Sequence, residues 1–80
     1  MKLPRDVSSA QLVKKLEHLG YRVTRQTGSH IRLTCDLPIQ HHVTVPQHNP
    51  LRLGTLSGIL GDIAEHLKIS REELVRRIFG

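Results

Sequence analysis

Tyr21-Arg22-Val23-Thr24-Arg25-Gln26-Thr27-Gly28-Ser29-His30-Ile31-Arg32-Leu33-Thr34-Cys35 sets apolar side chains at odd positions on both sides of one glycine. Tyr21, Val23, Ile31, Leu33 and Cys35 alternate with polar or charged residues, the period of a strand with one buried face. The same parity returns in Val43 and Val45. Three strands are expected, near 21–26, 29–35 and 40–45. A slip of one residue would turn every side chain over, so odd must pair with odd. Each hairpin loop must then hold an odd number of residues. A three-residue loop, Gln26-Thr27-Gly28, satisfies the first hairpin, with Gly28 in the left-handed region. It sets Thr24 opposite His30 and Arg22 opposite Arg32. A loop centred on Pro38 sets Thr34 opposite His42, and the register continues to Pro46 across from His30.

Outward from this meander the period changes from two to that of a helix. Upstream, Leu12, Val13, Leu16 and Leu19 form one apolar stripe over a helix of about 9–19. Ser8 and Gln11 form a capping box, with Val7 and Leu12 at the staple positions. Gly20 follows as the helix stop, and Tyr21 can pack back on Leu16. Downstream, Pro46-Gln47-His48-Asn49-Pro50 reads as a loop, because prolines interrupt the strand. Leu56, Ile59, Leu60, Ile63, Ala64 and Leu67 predict a second helix, with Thr55 as its N-cap. Gly58 and Gly61 weaken that helix by roughly 1 kcal/mol each, and close packing against the sheet would account for them. Ser70 and Glu73 form another capping box before a short helix of about 71–78. Helices with single apolar stripes must cover the odd face of the sheet. The expected fold class is α+β, in two layers, with helices on one face of an antiparallel three-stranded meander.

The chain has 80 residues, so one domain over 1–80 is expected. Its 12 Lys and Arg against 7 Asp and Glu leave a formal charge of +5, which points to nucleic acid or an acidic protein as partner. Tyr21 and Phe79 are the only aromatic residues besides histidine, too few for base-stacking platforms. A single cysteine, Cys35, excludes an internal disulfide and suits a reducing compartment. No apolar run reaches the ~20 residues of a membrane span. Met1 to Asp6 does not read as a signal peptide. A cytoplasmic protein without membrane contact is the expectation.

The even face of the sheet carries Arg22, Thr24, Gln26, His30, Arg32, Thr34, His42 and Thr44. It holds cations and no carboxylate, the character of a phosphate-binding surface. Two arginines facing each other destabilise a sheet unless an anion lies between them. His30, just after the turn glycine, can exchange a proton near neutral pH. His41 is expected inward at the sheet's end, and His42 on the solvated face. His18 and His66 fall in last helical turns, where positive charge favours the helix dipole. His41, His42 and His48 do not make a metal site: neighbours on a strand point to opposite faces, and no carboxylate or second cysteine completes the set. Neither metal nor cofactor is expected. Cys35 is expected inward as a small hydrophobe.

Gly28-Ser29-His30 before an alternating strand, and then Val45-Pro46-x-His48-x-x-Leu51-x-x-Gly54-Thr55-Leu56-x-x-Ile59-Leu60, resemble the HicA family of bacterial toxins. Leu16-x-x-Leu19-Gly20-Tyr21 and the Ser70-x-Glu72-Glu73 helix start are similar to that family too. Thr27 departs from it, standing where the family often has lysine. The resemblance implies a fold like that of double-stranded-RNA-binding domains. It implies an mRNA interferase, a ribonuclease that is the toxin of a type II toxin–antitoxin pair. It implies a HicB-like antitoxin that blocks the active site, with a toxin that is monomeric when free and hetero-oligomeric in the complex. The catalytic histidine falls on His30, with His48 as a secondary candidate for proton transfer. Arg22, Thr24, Gly28, Ser29 and Arg32 are the candidate RNA-binding residues. The alternatives are a non-catalytic module of the same fold that binds duplex RNA by shape, and a pure interaction protein whose basic face meets an acidic partner.

Overall fold

The computed structural model describes residues 3–80; Met1 and Lys2 lie outside the described residues. The elements run α1 (Ser9–Glu17), β1 (Arg22–Thr27), β2 (His30–Cys35), β3 (His41–Pro46), α2 (Leu53–Leu67) and α3 (Arg71–Phe79). The strands form one antiparallel sheet in the order β1-β2-β3. This is the α+β architecture that the periodicity predicts.

Helix α1 begins with a complete capping box. The Ser8 hydroxyl accepts from the Gln11 N–H, and the Gln11 side chain accepts from the Ser8 N–H. It ends at Glu17, sooner than the apolar stripe suggests. The chain then closes on two reversed bonds, Gly20 N–H to Glu17 C=O and Tyr21 N–H to Leu16 C=O, with Gly20 at φ +100°. Helix α2 starts at Leu53 with Arg52 as its N-cap, so Thr55 is not the cap and lies inside the first turn. Arg52 makes no side-chain capping bond there. The glycines of α2 also serve otherwise than expected. A Cβ at Gly58 would meet nothing within 4 Å, and one at Gly61 would come within 2.8 Å of the Arg71 guanidinium. Gly61 makes room for a side chain of α3, not for the sheet. Ser70 caps α3 by accepting from the Glu73 N–H. The box is only half formed, because the Glu73 carboxylate turns to Arg76 and Arg77 instead.

The core lies between the helices and one face of the sheet. Leu12 and Leu16 of α1, Leu33 and Val45 of the sheet, Leu56, Leu60 and Ile63 of α2, and Leu74 of α3 are almost wholly buried. The cover is uneven. Core-facing residues of β2 and β3 are buried, but Val23 of β1 remains 44% exposed. Cys35 is buried as expected, with its thiol directed to the Leu37 carbonyl.

The two ladders differ in register. β2 and β3 pair without interruption from His30↔Pro46 to Cys35↔His41, with Thr34 opposite His42, as parity requires. β1 and β2 pair as Val23↔Leu33 and then Arg25↔Arg32, so Thr24 is an extra residue in a bulge. The bulge absorbs one residue and resets the parity. The turn is therefore Gly28-Ser29 between Thr27 and His30, in place of the three-residue loop. Gly28 has φ +54°, the sign that a type II′ turn needs at its first central residue. Thr27, not Thr24, stands opposite His30, and Arg25, not Arg22, stands opposite Arg32. Gln26 is carried to the other face, opposite Ile31.

Candidate nucleic-acid interface

The open face of the sheet is built by the first and third residues after the turn and by the bulge. His30 begins β2, exposed, immediately after Gly28-Ser29. Arg32 follows on the same face, about 7 Å along the strand at ~3.3 Å per residue. Arg25 lies directly across from Arg32. Thr24 bonds to the Thr34 hydroxyl at 2.9 Å, and its own hydroxyl donates to the Arg32 carbonyl at 3.4 Å. Thr34 also bonds to His42 Nδ1 at 2.8 Å. Thr34 is 2% exposed although it sits on the outward face. A buried hydroxyl thus links the bulge to β3 beneath the charged side chains.

Arg22, the other expected cation, behaves differently. It pairs with Asp36 at 2.7 Å, just beyond the end of β2. Its guanidinium, with the Gln40 amide, holds the Asp36 carboxyl below the usual carboxylate range. The face is therefore not free of carboxylates at this end. Arg25 is the cation that sequence parity missed, since an odd position was assigned to the core side. The run Thr24-Arg25-Gln26-Thr27 contains no apolar residue, so nothing in it reports which face Arg25 takes.

The loop after β3 is fixed at both ends. Gln47 N–H donates to Ser29 C=O at 2.6 Å, which holds the loop backbone beside the turn that precedes His30. His48 N–H closes on Pro46 C=O. Asn49 Oδ1 accepts from the Ser9 N–H and hydroxyl, and Leu51 N–H donates to Val7 C=O. His48 is thus tied to the neighbourhood of His30 through the backbone, on an exposed loop.

His41 and His66 take structural places. His41 shares a 2.6 Å hydrogen bond with the Tyr21 hydroxyl and stacks on His66 at 4.3 Å between ring centroids. Burial and the nearby His66 lower the His41 pKa, and burial pushes the Tyr21 hydroxyl up. His66 bonds to the Leu37 carbonyl. Among the described residues no three His, Cys, Asp or Glu side chains converge as a metal site would require. A hollow of about 570 Å³ between Leu3, Pro4 and α3 shares no residue with the His30 face. That face is an open platform suited to an extended ligand.

The sequence model of a family described as the HicA toxin of bacterial toxin–antitoxin systems matches residues 9–65. The chain belongs to the HicA toxin family. The match runs from the first residue of α1 to the last turns of α2 and so takes in the whole meander, both candidate histidines and the bulge. This HicA chain is accordingly the toxin of a toxin–antitoxin system, a role that carries an antitoxin partner with it. No curated protein and no solved structure matches it. No helix among the described residues is long and apolar enough to cross a membrane.

Proposed function

We propose that this toxin is an endoribonuclease of the mRNA interferase type, working in the cytoplasm without a metal and using His30 as its acid–base group. The observation that carries the reading is the exposed imidazole of His30 beside a cationic, open sheet face and a tight glycine turn. RNA brings its own nucleophile. His30 accepts the proton of a ribose 2′-OH, and the 2′-oxygen bonds to the adjacent phosphorus. The bond from phosphorus to the 5′-oxygen breaks, and that oxygen takes a proton from a second donor. The products are a 2′,3′-cyclic phosphate and a free 5′-OH. His48 is the candidate second donor, because its loop is bonded to Ser29. Gly28 and Ser29 shape the approach to the turn, and Thr24, Arg22 and Arg32 belong to the RNA-facing surface.

The proposed partner is a HicB-like antitoxin that covers the His30 face, so that RNA and antitoxin exclude each other. General acid–base catalysis contributes ~10²–10⁴ in rate. His30→Ala is expected to lose cleavage of a mixed-sequence RNA by about that factor in excess EDTA. Circular dichroism and RNA binding should stay unchanged, and His48→Ala should lose less. A folded His30→Ala protein with full activity would end the assignment. Wild-type protein that binds duplex RNA and cuts nothing would favour the non-catalytic module.

A further inference from the structure

We propose that Arg25 and Arg32 form a two-guanidinium clamp for the scissile phosphate, an assignment that rests on the ribonuclease reading of His30. The two residues are direct partners across β1–β2, and both are exposed. Direct partners in an antiparallel ladder stand about 4.5–5.5 Å apart at Cα, and like charges placed so repel. Three other arginines are ion-paired, Arg22 with Asp36 and Arg76 and Arg77 with Glu73, and Arg71 bonds to the Ser57 hydroxyl. The cross-strand contact, not the lack of a carboxylate alone, sets Arg25 and Arg32 apart from Arg5 and Arg52. Among the described residues Arg25 and Arg32 have no acidic partner.

The juxtaposition is made by the bulge. In an uninterrupted ladder Arg25 would fall on the core-facing side, with Val23. The extra residue Thr24 turns it outward, and the Thr24 bonds to Thr34 and to the Arg32 carbonyl hold that geometry. An irregularity that brings two unpaired cations face to face costs stability in the free protein, and an anion between them removes the cost. A phosphodiester fits, because it offers one non-bridging oxygen to each guanidinium in a charge-assisted bond. His30 lies two residues from Arg32 on the same face, about 7 Å along the strand. That offset leaves room for the ribose whose 2′-OH His30 would deprotonate. As the 2′-oxygen attacks, negative charge grows on the same two non-bridging oxygens. The clamp therefore binds the transition state more tightly than the ground state and acts on kcat.

The test has two arms. In the first, cleavage of a mixed-sequence RNA is measured for wild type, Arg25→Ala, Arg32→Ala and the double Arg→Lys variant. Each alanine variant should lower kcat at least tenfold with a smaller change in KM. The lysine variant keeps the charge but not the forked donors, so it should keep KM and lose kcat. In the second arm, binding of the same RNA is measured against salt in the His30→Ala background. Removing both arginines should reduce the log–log slope by about 0.7, one phosphate's worth for a single strand. A fall of twice that amount would mean two separate phosphates and overturn the clamp. So would an unchanged slope, or unchanged kcat in folded arginine variants. Failure of the underlying reading looks different: wild type would cut no RNA at all, or His30→Ala would cleave like wild type, whatever the arginine variants do, while the salt slope still reports on the clamp.

Discussion

The β1–β2 and β2–β3 ladders share a central strand, yet only one is regular. On the β3 side, apolar partners Ile31↔Val45 and Leu33↔Val43 are buried in pairs, and the register runs unbroken to Pro46. On the β1 side every residue is exposed, the register slips at Thr24, and two arginines meet. Burial of one face enforces register, because a slip would cost every apolar contact at once. β1 escapes that enforcement, since the helices leave Val23 half uncovered. The freedom to bulge, and so to place charge, exists where packing is weakest. His30 belongs to both ladders: it is held by the regular one through Pro46 and faces the side of the irregular one.

The contrast can be broken most severely by truncation. Val45→Ala removes a fully buried side chain of β3 and should cost about 2 kcal/mol. Val23→Ala, in β1, should change stability by less than about 0.5 kcal/mol. Urea unfolding of both variants measures the difference. Equal losses would show that β1 is packed as firmly as β3.

A smaller effect is expected at the turn of the irregular ladder. Gly28 holds φ +54° with open space around the position of a Cβ. Gly28→Ala should therefore cost about 1 kcal/mol from backbone conformation alone. Ser29→Ala should cost less in the same unfolding assay. A neutral Gly28→Ala would mean that the turn relaxes freely.

The smallest effect is pH-dependent and belongs to the regular ladder's far end. His41 has its pKa lowered in the fold by burial and by His66, against a raising influence from Asp62. The unfolded chain therefore binds a proton first as pH falls. The stability contributed by neutral His41 is fully present above about pH 6.5. It declines as pH drops from there through the lower folded value. The carboxylates held low by arginine, Asp36 and Glu73, act only further down, below about pH 4. Urea midpoints between pH 7.5 and 5 should fall, and His41→Gln should flatten the trend. An undiminished trend in that variant would assign the effect elsewhere.

The element order and the β2–β3 register were legible because apolar alternation there is complete and each side chain reports its face. The bulge was not legible. Tyr21 and Val23 agree with the odd pattern, and after them Thr24, Arg25, Gln26 and Thr27 supply no apolar residue to reveal the change of parity. A two-residue Gly28-Ser29 turn and a three-residue loop fit that polar stretch equally well once a bulge is allowed. The start of α2 was hidden for a related reason: Arg52 has no capping chemistry, and Leu53 is 45% exposed, so neither marks the first turn. His30 could be picked out from its place after the turn. Its cationic neighbour Arg25 could not, because only the fold shows which way the residue faces.

The bulge at Thr24 has one more effect. β1 is an edge strand, and a straight edge offers unpaired amides and carbonyls to any other extended chain, including another copy of itself. A kinked edge flanked by Arg22 and Arg25 is a poor template for such pairing. Two molecules meeting edge to edge would bring like charges together and find their hydrogen-bonding groups out of step. The irregularity that sets Arg25 on the open face also guards the strand against edge-to-edge aggregation when the protein accumulates.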